Sequence, residues 1–447
     1  MKKVTLFIYC LFANGLFAQE HFSGIATSKR TGLLNADLNP AELVNLQNTY
    51  EVNIFNFSAG VANNKITFAD LLHSDNDFEE MIFSGNEAAN LSADVAILGP
   101  AFGFKKDKWG FAISTGAHVK ANFIDINTTL GRAVTNGGID NITQVYPILQ
   151  SENQRVVGTS WGEIGFSAAR EFYQDNQHKL SAGLTFKLLF PNTYANMGAG
   201  KLNGTIVNDL GNVYLTDAQA EVNFAYSGPL ADDYSDSGSF TEFFAGGLNG
   251  FCADLGINYQ LKDNNQDGYR VNAGISFKNL GNLTFKDDNN TTNNYSLNIP
   301  EGQYFNLNQF EGVESVEEIE DIFVSSGFAT IQKSQQDFKV KLPSYLSVYA
   351  DIKIHRRWYA TALVQQKTGD SNNNNQITVP NIYSVTPRYS SGFFEAYMPL
   401  ASNEISGFTA GIGFRLGGFF IGSSSLLSAT VTDTDQADAY IGFRVGF

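Results

Sequence analysis

The sequence predicts an all-β fold: a transmembrane antiparallel β-barrel of about fourteen strands, with an N-terminal hatch and long outer loops. Three observations carry this. Apolar and polar residues alternate with a period of two through one segment after another, which puts each kind on its own face of a strand. Connections alternate between short turns, such as Lys105-Lys106-Asp107-Lys108 and His355-Arg356-Arg357, and inserts of tens of residues. The last segment, ADAYIGFRVGF, is a strand pattern that runs to Phe447. An uncovered apolar edge of that kind invites pairing, and a closed barrel removes it.

Bulk composition fits this reading. The chain has 447 residues and is 43% hydrophobic, with 37 Phe and 42 Gly against 10 Pro. Half of every barrel strand is polar, so the average hydropathy conceals the membrane. The formal charge of −16 argues against nucleic acid as a partner.

Met1 to Ala18 reads as a secretory signal: Lys2 and Lys3, then an apolar run from Val4 to Phe17. Its removal leaves Cys252 as the single cysteine, so no internal disulfide is expected. Residues 19–48 carry SGIATSKRTGLLNADLNPAELVN, which is not strand-like and is either a surface tail or a hatch within the lumen; the assignment taken is the hatch. The barrel is assigned to residues 49–447.

The wall strands follow in order. Strand 1 is Tyr50 to Ser58, followed by a helical piece near Leu71 to Phe83. Strand 2, Ser92 to Phe104, is interrupted by Gly99-Pro100, which implies a kink or bulge. Strand 3 is Trp109 to Val119, strand 4 Gly158 to Phe172 and strand 5 Lys179 to Phe190. Residues 191–249 form a polar insert, in which Tyr214 to Tyr226 is either an extra strand or a further hairpin of the wall. Strand 6, Phe251 to Leu261, and strand 7, beginning at Tyr269, alternate without a break: Leu255, Ile257, Ile275 and Phe277 outward, Asp254, Asn258, Arg270 and Lys278 inward. A slip of one residue would put Arg270 into lipid, at roughly 2–4 kcal/mol at the midplane. The insert 279–343 holds an acidic helix, Val313 to Phe323. Strands 8 and 9 are Tyr345 to Ile354 and Trp358 to Gln366, and Asn372 to Asn375 is a loop tip. Strands 10 to 13 fall near Ile377 to Tyr389, Gly392 to Met398, Gly407 to Leu416 and Gly418 to Leu427. Strand 14 closes the sheet, and its Tyr440, Phe443 and Phe447 are the aromatic residues expected of a C-terminal assembly signal. Trp109, Tyr269, Trp358 and Phe419 begin strands beside short turns, as an aromatic belt would.

The order of LLNADLNPAELVN, GFCADLGINYQL and ISFKNLGNLTF, with Asn39-Pro40-Ala41 near the mature start and Phe447 at the last strand, resembles the FadL/PorV-like outer-membrane barrels, most of all an uncharacterised Bacteroidota branch of them. The resemblance implies a hatch with Asn39, Pro40 and Ala41 inside the barrel. It also implies contact with outer-membrane lipid and the barrel-assembly machinery. For function it implies a channel for hydrophobic small molecules, or alternatively an accessory barrel serving an export-system protein.

Catalytic and metal patterns are weak. Gly158-Thr159-Ser160-Trp161-Gly162 has the spelling of a nucleophile elbow but lacks the strand-turn-helix context. Asp263, Asn265, Asp267 and Gly268 match half of a calcium loop, whose twelfth position would be Gly274 instead of Glu. Gly411-x-Gly413 lacks the later glycine spacing of a dinucleotide loop. No enzyme activity, metal or cofactor is expected. One pattern persists: His118, Lys120, Lys187, Arg270, Lys278, Lys353, Arg415 and Arg444 fall on the lumen face, against Asp254 and Asp351. A basic lumen would either bind an anionic headgroup or pair with an acidic hatch, and the pairing is the stronger expectation.

Overall fold

The computed structural model describes residues 21–71, 78–135, 144–228, 242–244, 246–263, 268–286, 290–313, 315–431 and 433–447. The signal read over residues 1–18 lies outside them. The first half of the chain supplies β1 (Tyr50–Asn63), β2 (Ala89–Lys106), β3 (Trp109–Ile126), β4 (Gln144–Leu149), β5 (Gln154–Gln174), β6 (His178–Asp209) and β7 (Asn212–Ser227). Then come β8 (Gly250–Lys262), β9 (Tyr269–Phe285), β10 (Thr291–Ile299), β11 (Phe305–Asn306), β12 (Ala329–Gln335) and β13 (Phe338–Lys341). The last third gives β14 (Tyr345–His355), β15 (Trp358–Lys367), β16 (Ile382–Ser390), β17 (Phe394–Tyr397) and β18 (Leu400–Asn403). It ends with β19 (Gly407–Ala410), β20 (Ile412–Leu416), β21 (Phe419–Ser423) and β22 (Gln436–Gly446).

Fourteen wall positions close into an antiparallel barrel. In ring order they are β1, β2, β3, β5, β6, β8, β9, β14, β15, β16, β17 with β18, β19 with β20, β21 and β22, and β22 pairs back onto β1 through Val52↔Val445 and Phe57↔Ile441. The period-two reading sets the faces. Leu255, Ile257, Ile275 and Phe277 are exposed on the outside, Ile257 by 51%, while Asp254, Asn258, Ser276 and Lys278 are buried inside.

Arg270 is a correction to the sequence reading. It is exposed, and Tyr269 is buried instead. The β8–β9 ladder shifts between Leu261↔Val271 and Lys262↔Tyr269, so a bulge at Arg270 turns both side chains over. The same bulge removes Tyr269 from the aromatic belt, whereas Trp109 (41%) and Trp358 (52%) face out.

Several boundaries differ from expectation. Strand 10 begins at Ile382, and strand 13 ends at Ser423, where Leu426–Val431 turns helical. Of the helical piece expected near 71–83, the described residues show Phe68–Leu71 and Phe78–Ile82, and residues 72–77 between them lie outside the described residues. The largest difference is β6. It does not stop at Phe190 but continues to Asp209, with Pro191 accommodated at a register shift opposite Trp161, where a proline is tolerated within a sheet. Beyond the wall, β6 and β7 form a hairpin, β4 adds to β6, β10 and β11 add to β7, and β12 adds to β10. One face of this outer sheet buries Ile206, Phe224, Leu297 and Phe305 in a separate core with Phe323 of the covering helix Val316–Ser325. Ser315 caps that helix, its Oγ accepting from the Glu318 amide at 3.1 Å.

The asparagine run is not a free tip. Tyr194 Oη donates to the Asn374 carbonyl at 2.6 Å, and Arg155, fully buried, donates to the Ser371 carbonyl at 2.7 Å and that of Gln376 at 3.1 Å. The segment 371–377 therefore folds across the long-loop mouth of the barrel.

Candidate functional site

The other mouth is filled by residues 21–48. Their contacts come from all round the wall: the Tyr440 hydroxyl donates to the Ser23 carbonyl at 2.6 Å, Ser181 Oγ to that of Ala41 at 3.1 Å and Ser276 Oγ to that of Leu38 at 2.8 Å. Wall glycines make room for this segment. A Cβ on Gly183 would lie 2.4 Å from the Pro40 carbonyl carbon, and one on Gly256 would lie 1.9 Å from Asn39 Oδ1.

Asn39-Pro40-Ala41 begins a 3₁₀ turn, with the Asn39 side chain accepting from the Ala41 amide at 3.0 Å and proline at the first position, where an N–H would be unpaired anyway. That turn delivers Glu42, 1% exposed, into a cradle of neutral donors. Asn258 and Asn272 donate to Oε1 at 2.9 and 2.8 Å, Asn45 to Oε2 at 2.7 Å, and the Tyr349 hydroxyl to Oε1 as well. Burial pushes the Glu42 carboxyl above the usual range, and these hydrogen bonds oppose it.

The basic wall residues hold the plug by its backbone. Lys179 donates to the Val44 carbonyl at 3.1 Å, Lys105 to that of Leu46, Lys278 to that of Asp37 and Arg444 to that of Arg30. The expected pairing with an acidic hatch is therefore mostly replaced, by plug carbonyls and by carboxylates of the wall itself. Lys187 lies 3.0 Å from Glu163 and 3.3 Å from Asp254, and Lys278 2.9 Å from Asp254 and 3.6 Å from Asp37, the one acidic plug side chain in this chain of charges. His118 lies 3.7 Å from Glu163 and stacks on Trp161 at 4.8 Å between ring centroids. Lys120 pairs with Asp94, which also faces plug residue His21 at 3.2 Å.

A second group lies further round the ring. Arg388 meets Asp351 at 2.6 Å, and Arg415 meets Glu395 at 2.5 Å. Arg444 reaches Glu51 at 3.0 Å, and Lys353 reaches Asp263 at 2.8 Å. Ser28 of the plug donates to both Glu395 oxygens, at 3.0 and 3.1 Å. Of the sequence-named lumen residues, all but Arg270 thus face inward and are paired: Lys120, Lys187, Lys278, Arg415, Asp254 and Asp351 are buried, and His118, Lys353 and Arg444 are half-buried. Arg388, Glu395, Glu51, Glu163 and Glu42 were not singled out. Arg388 was legible as the third of an alternating polar set with Ser384 and Thr386, but Glu42 sits in a turn with no periodicity to read.

Between plug and wall lies a chamber of about 90 Å³, lined by His21, His118, Trp161, Glu163 and Lys187 among others. A smaller cavity of about 40 Å³ lies between plug leucines Leu33, Leu34 and Leu43 and wall residues Leu98, Gly99, Ala101 and Ala112. There the wall is broken: β1–β2 pairing jumps from Asn53↔Ala101 to Asn56↔Leu98, and β2–β3 pairing from Ala101↔Ser114 to Leu98↔Gly116. The carbonyls freed at the break are taken by side chains. Asn53 Nδ2 donates to Leu98 at 3.1 Å and Thr115 Oγ1 to Pro100 at 3.0 Å.

The other motifs take structural places. Ser160 lies within β5, with Asn192 donating to its hydroxyl at 3.0 Å. Asn265 and Asp267 of the half calcium loop lie outside the described residues, among which no cluster of metal-ligating side chains occurs.

No curated protein matches the sequence. Solved structures similar to this chain are outer-membrane channels of the FadL and TodX type. The Pseudomonas putida toluene transporter TodX is 9% identical, with 93% of this chain and 94% of that chain covered and a TM-score of 0.42. A Pseudomonas aeruginosa FadL homologue is 8% identical, with 96% and 98% covered and a TM-score of 0.40. The Ralstonia pickettii toluene transporter TbuX is 11% identical, with 92% and 93% covered and a TM-score of 0.37. The model of a family of unknown function, DUF5723, matches residues 40–424, from the plug turn at Pro40 to the end of the thirteenth wall strand, and the chain belongs to that family.

Proposed function

We propose that this protein is an outer-membrane channel that admits small hydrophobic molecules from the lipid through its wall, with residues 21–48 as the hatch. The observation that supports the reading is the wall break at Gly99-Pro100 backed by the leucine-lined cavity. Ile54 and Phe55, consecutive in sequence, are exposed by 45% and 39% at the break, so alternation fails on the strand that borders it. The two cavities, of about 40 and 90 Å³, hold a few waters at most, so the closed state passes nothing and transport requires the hatch to shift.

Leu34 of the hatch packs beside Leu98 of the wall. A Leu34→Cys/Leu98→Cys pair that is oxidised should therefore lock the hatch. In proteoliposomes, uptake of the hydrophobic fluorophore N-phenyl-1-naphthylamine should fall to the protein-free rate when locked and return on reduction. Uptake that ignores the lock, or that never exceeds the protein-free rate, contradicts the channel.

A second reading, an accessory barrel in surface protein export, is supported by a different observation. The outer sheet and the segment 372–375 enclose a polar cleft of about 1170 Å³ on the long-loop side. On that reading the lock is silent, and removal of β10 to β12 abolishes function.

A further inference from the structure

The polar cleft of about 1170 Å³ on the long-loop side has a floor made by β6, β7 and β10 and a roof made by the segment 372–375. Seven asparagines and two glutamines line it, and each of their amides carries a donor and an acceptor side by side. The floor amides are held in one orientation. Arg155, which can only donate, gives its Nε–H to Asn196 Oδ1 at 3.0 Å. Asn196 Nδ2 then donates to Asn223 Oδ1 at 2.9 Å, and Asn223 Nδ2 to Asn294 Oδ1 at 3.1 Å. The arginine thus sets the direction of the row. Its last member, Asn294, lines the cleft with its oxygen already taken and its Nδ2 left to donate. The roof repeats the arrangement: Asn153 Nδ2 donates to Asn374 Oδ1 at 2.8 Å and to the Asn372 carbonyl at 2.7 Å. Asn372 Oδ1 is buried and has no hydrogen-bond partner among the described residues.

We infer that this cleft binds a neutral oligosaccharide from outside the cell. Each sugar hydroxyl is both donor and acceptor, and amides fixed in advance on two sides meet neighbouring hydroxyls with little ordering left to do. A cleft for one small ligand measures roughly 300–1,000 Å³, so this one has room for several sugar units. A peptide fits the floor less well. An extended peptide joins a sheet by adding to an open edge, whereas β6, β7 and β10 are each paired on both sides, so the floor offers side chains alone. The outward orientation comes from the outer-membrane reading above. The binding itself takes nothing from the cargo or the hatch.

The test is binding, read without any uptake, so its failure and that of the channel are separate results. The full chain in phosphatidylcholine nanodiscs is applied to a printed array of short neutral oligosaccharides built on glucose, mannose, galactose and N-acetylglucosamine. Sialylated and sulfated oligosaccharides and peptides from digested casein are printed beside them. At least one neutral series should bind saturably and keep its affinity as salt rises. Asn294→Ala/Asn374→Ala, which removes two amides and no main-chain bond, should weaken that binding about tenfold or more. Gly200→Leu leaves the amides in place and fills the cleft from the floor, because a Cβ there meets Asn153 Oδ1 at an ordinary 3.5 Å, and it should abolish binding. Lys201→Gln/Glu221→Gln removes an exposed ion pair of 2.7 Å at the rim and should bind as the parent does. Absence of saturable binding to every neutral series overturns the inference. So does binding that Gly200→Leu leaves unchanged. So does binding confined to the acidic sugars and lost at high salt, or confined to the casein peptides, which would make charge or protein the recognised chemistry.

Discussion

The main-chain amide of Tyr50 donates to the Phe447 carbonyl at 2.9 Å, and the Phe447 amide donates back to Tyr50 at 3.0 Å. Their rings stack 6.0 Å apart. The first wall residue and the last are thus one rung of one ladder, and the edge that each strand would expose alone is gone. In hydrocarbon each unpaired main-chain group costs several kcal/mol, so closure is what permits an apolar strand to end at Phe447.

The outward face obeys lipid. Ile257→Lys should destabilise the inserted barrel by about 2–4 kcal/mol in urea unfolding from lipid vesicles, the cost of a basic residue near the midplane. Asn258→Ala, one residue on but inside, should instead weaken the hold on Glu42 and leave insertion intact.

Plug and wall can be separated at the glycines. Gly183→Val and Gly256→Leu put atoms where Pro40 and Asn39 now lie. Each should expel the plug while the barrel keeps its heat-modifiable mobility on gels. The readout is cleavage of the first thirty or so mature residues by added protease, slow in the parent and rapid in the variants.

Glu42 gives the plug a pH dependence with a definite sign. Burial raises its carboxyl above the ordinary 4.5. A raised acid favours its protonated form when docked, so docking is strongest at acid pH and weakens as pH rises through the raised value. A nitroxide at Val44 should become more accessible to an aqueous nickel chelate as pH rises from the ordinary carboxyl value of 4.5, and Glu42→Gln should flatten the curve. Docking that strengthens with rising pH, or the same curve in the variant, would contradict the assignment.

Within the lumen, Asp254 is shared by Lys187 and Lys278. Asp254→Asn leaves two buried ammonium groups with less compensation, and the expected loss is about 3–5 kcal/mol in the same unfolding measurement. A Lys187→Met/Asp254→Asn double variant should recover part of that loss, which is the signature of a coupled pair.

What was legible follows from what repeats. The fourteen wall strands could be read because lipid imposes one requirement on alternate residues along each, as in Phe251 to Leu261. The inserts answer to no such rule. The strand β6 could not be followed past Pro191 because a proline normally ends a central strand, and nothing local reveals that its neighbour shifts register at Trp161. Arg270 was misplaced because a bulge leaves the sequence alternating while it inverts the side chains. The asparagine run looked like a loop tip because its partners, Arg155 and Tyr194, stand some two hundred residues away.

The central claim is that β1 and β22 close one ring. Ala59 and Ala439 face each other across that seam. An Ala59→Cys/Ala439→Cys variant, oxidised by copper phenanthroline in native membranes, should form an intramolecular disulfide in most molecules and keep the barrel compact on gels after boiling. A pair that stays reduced, or that links only between chains, would mean the ring is open at that seam and would contradict the account.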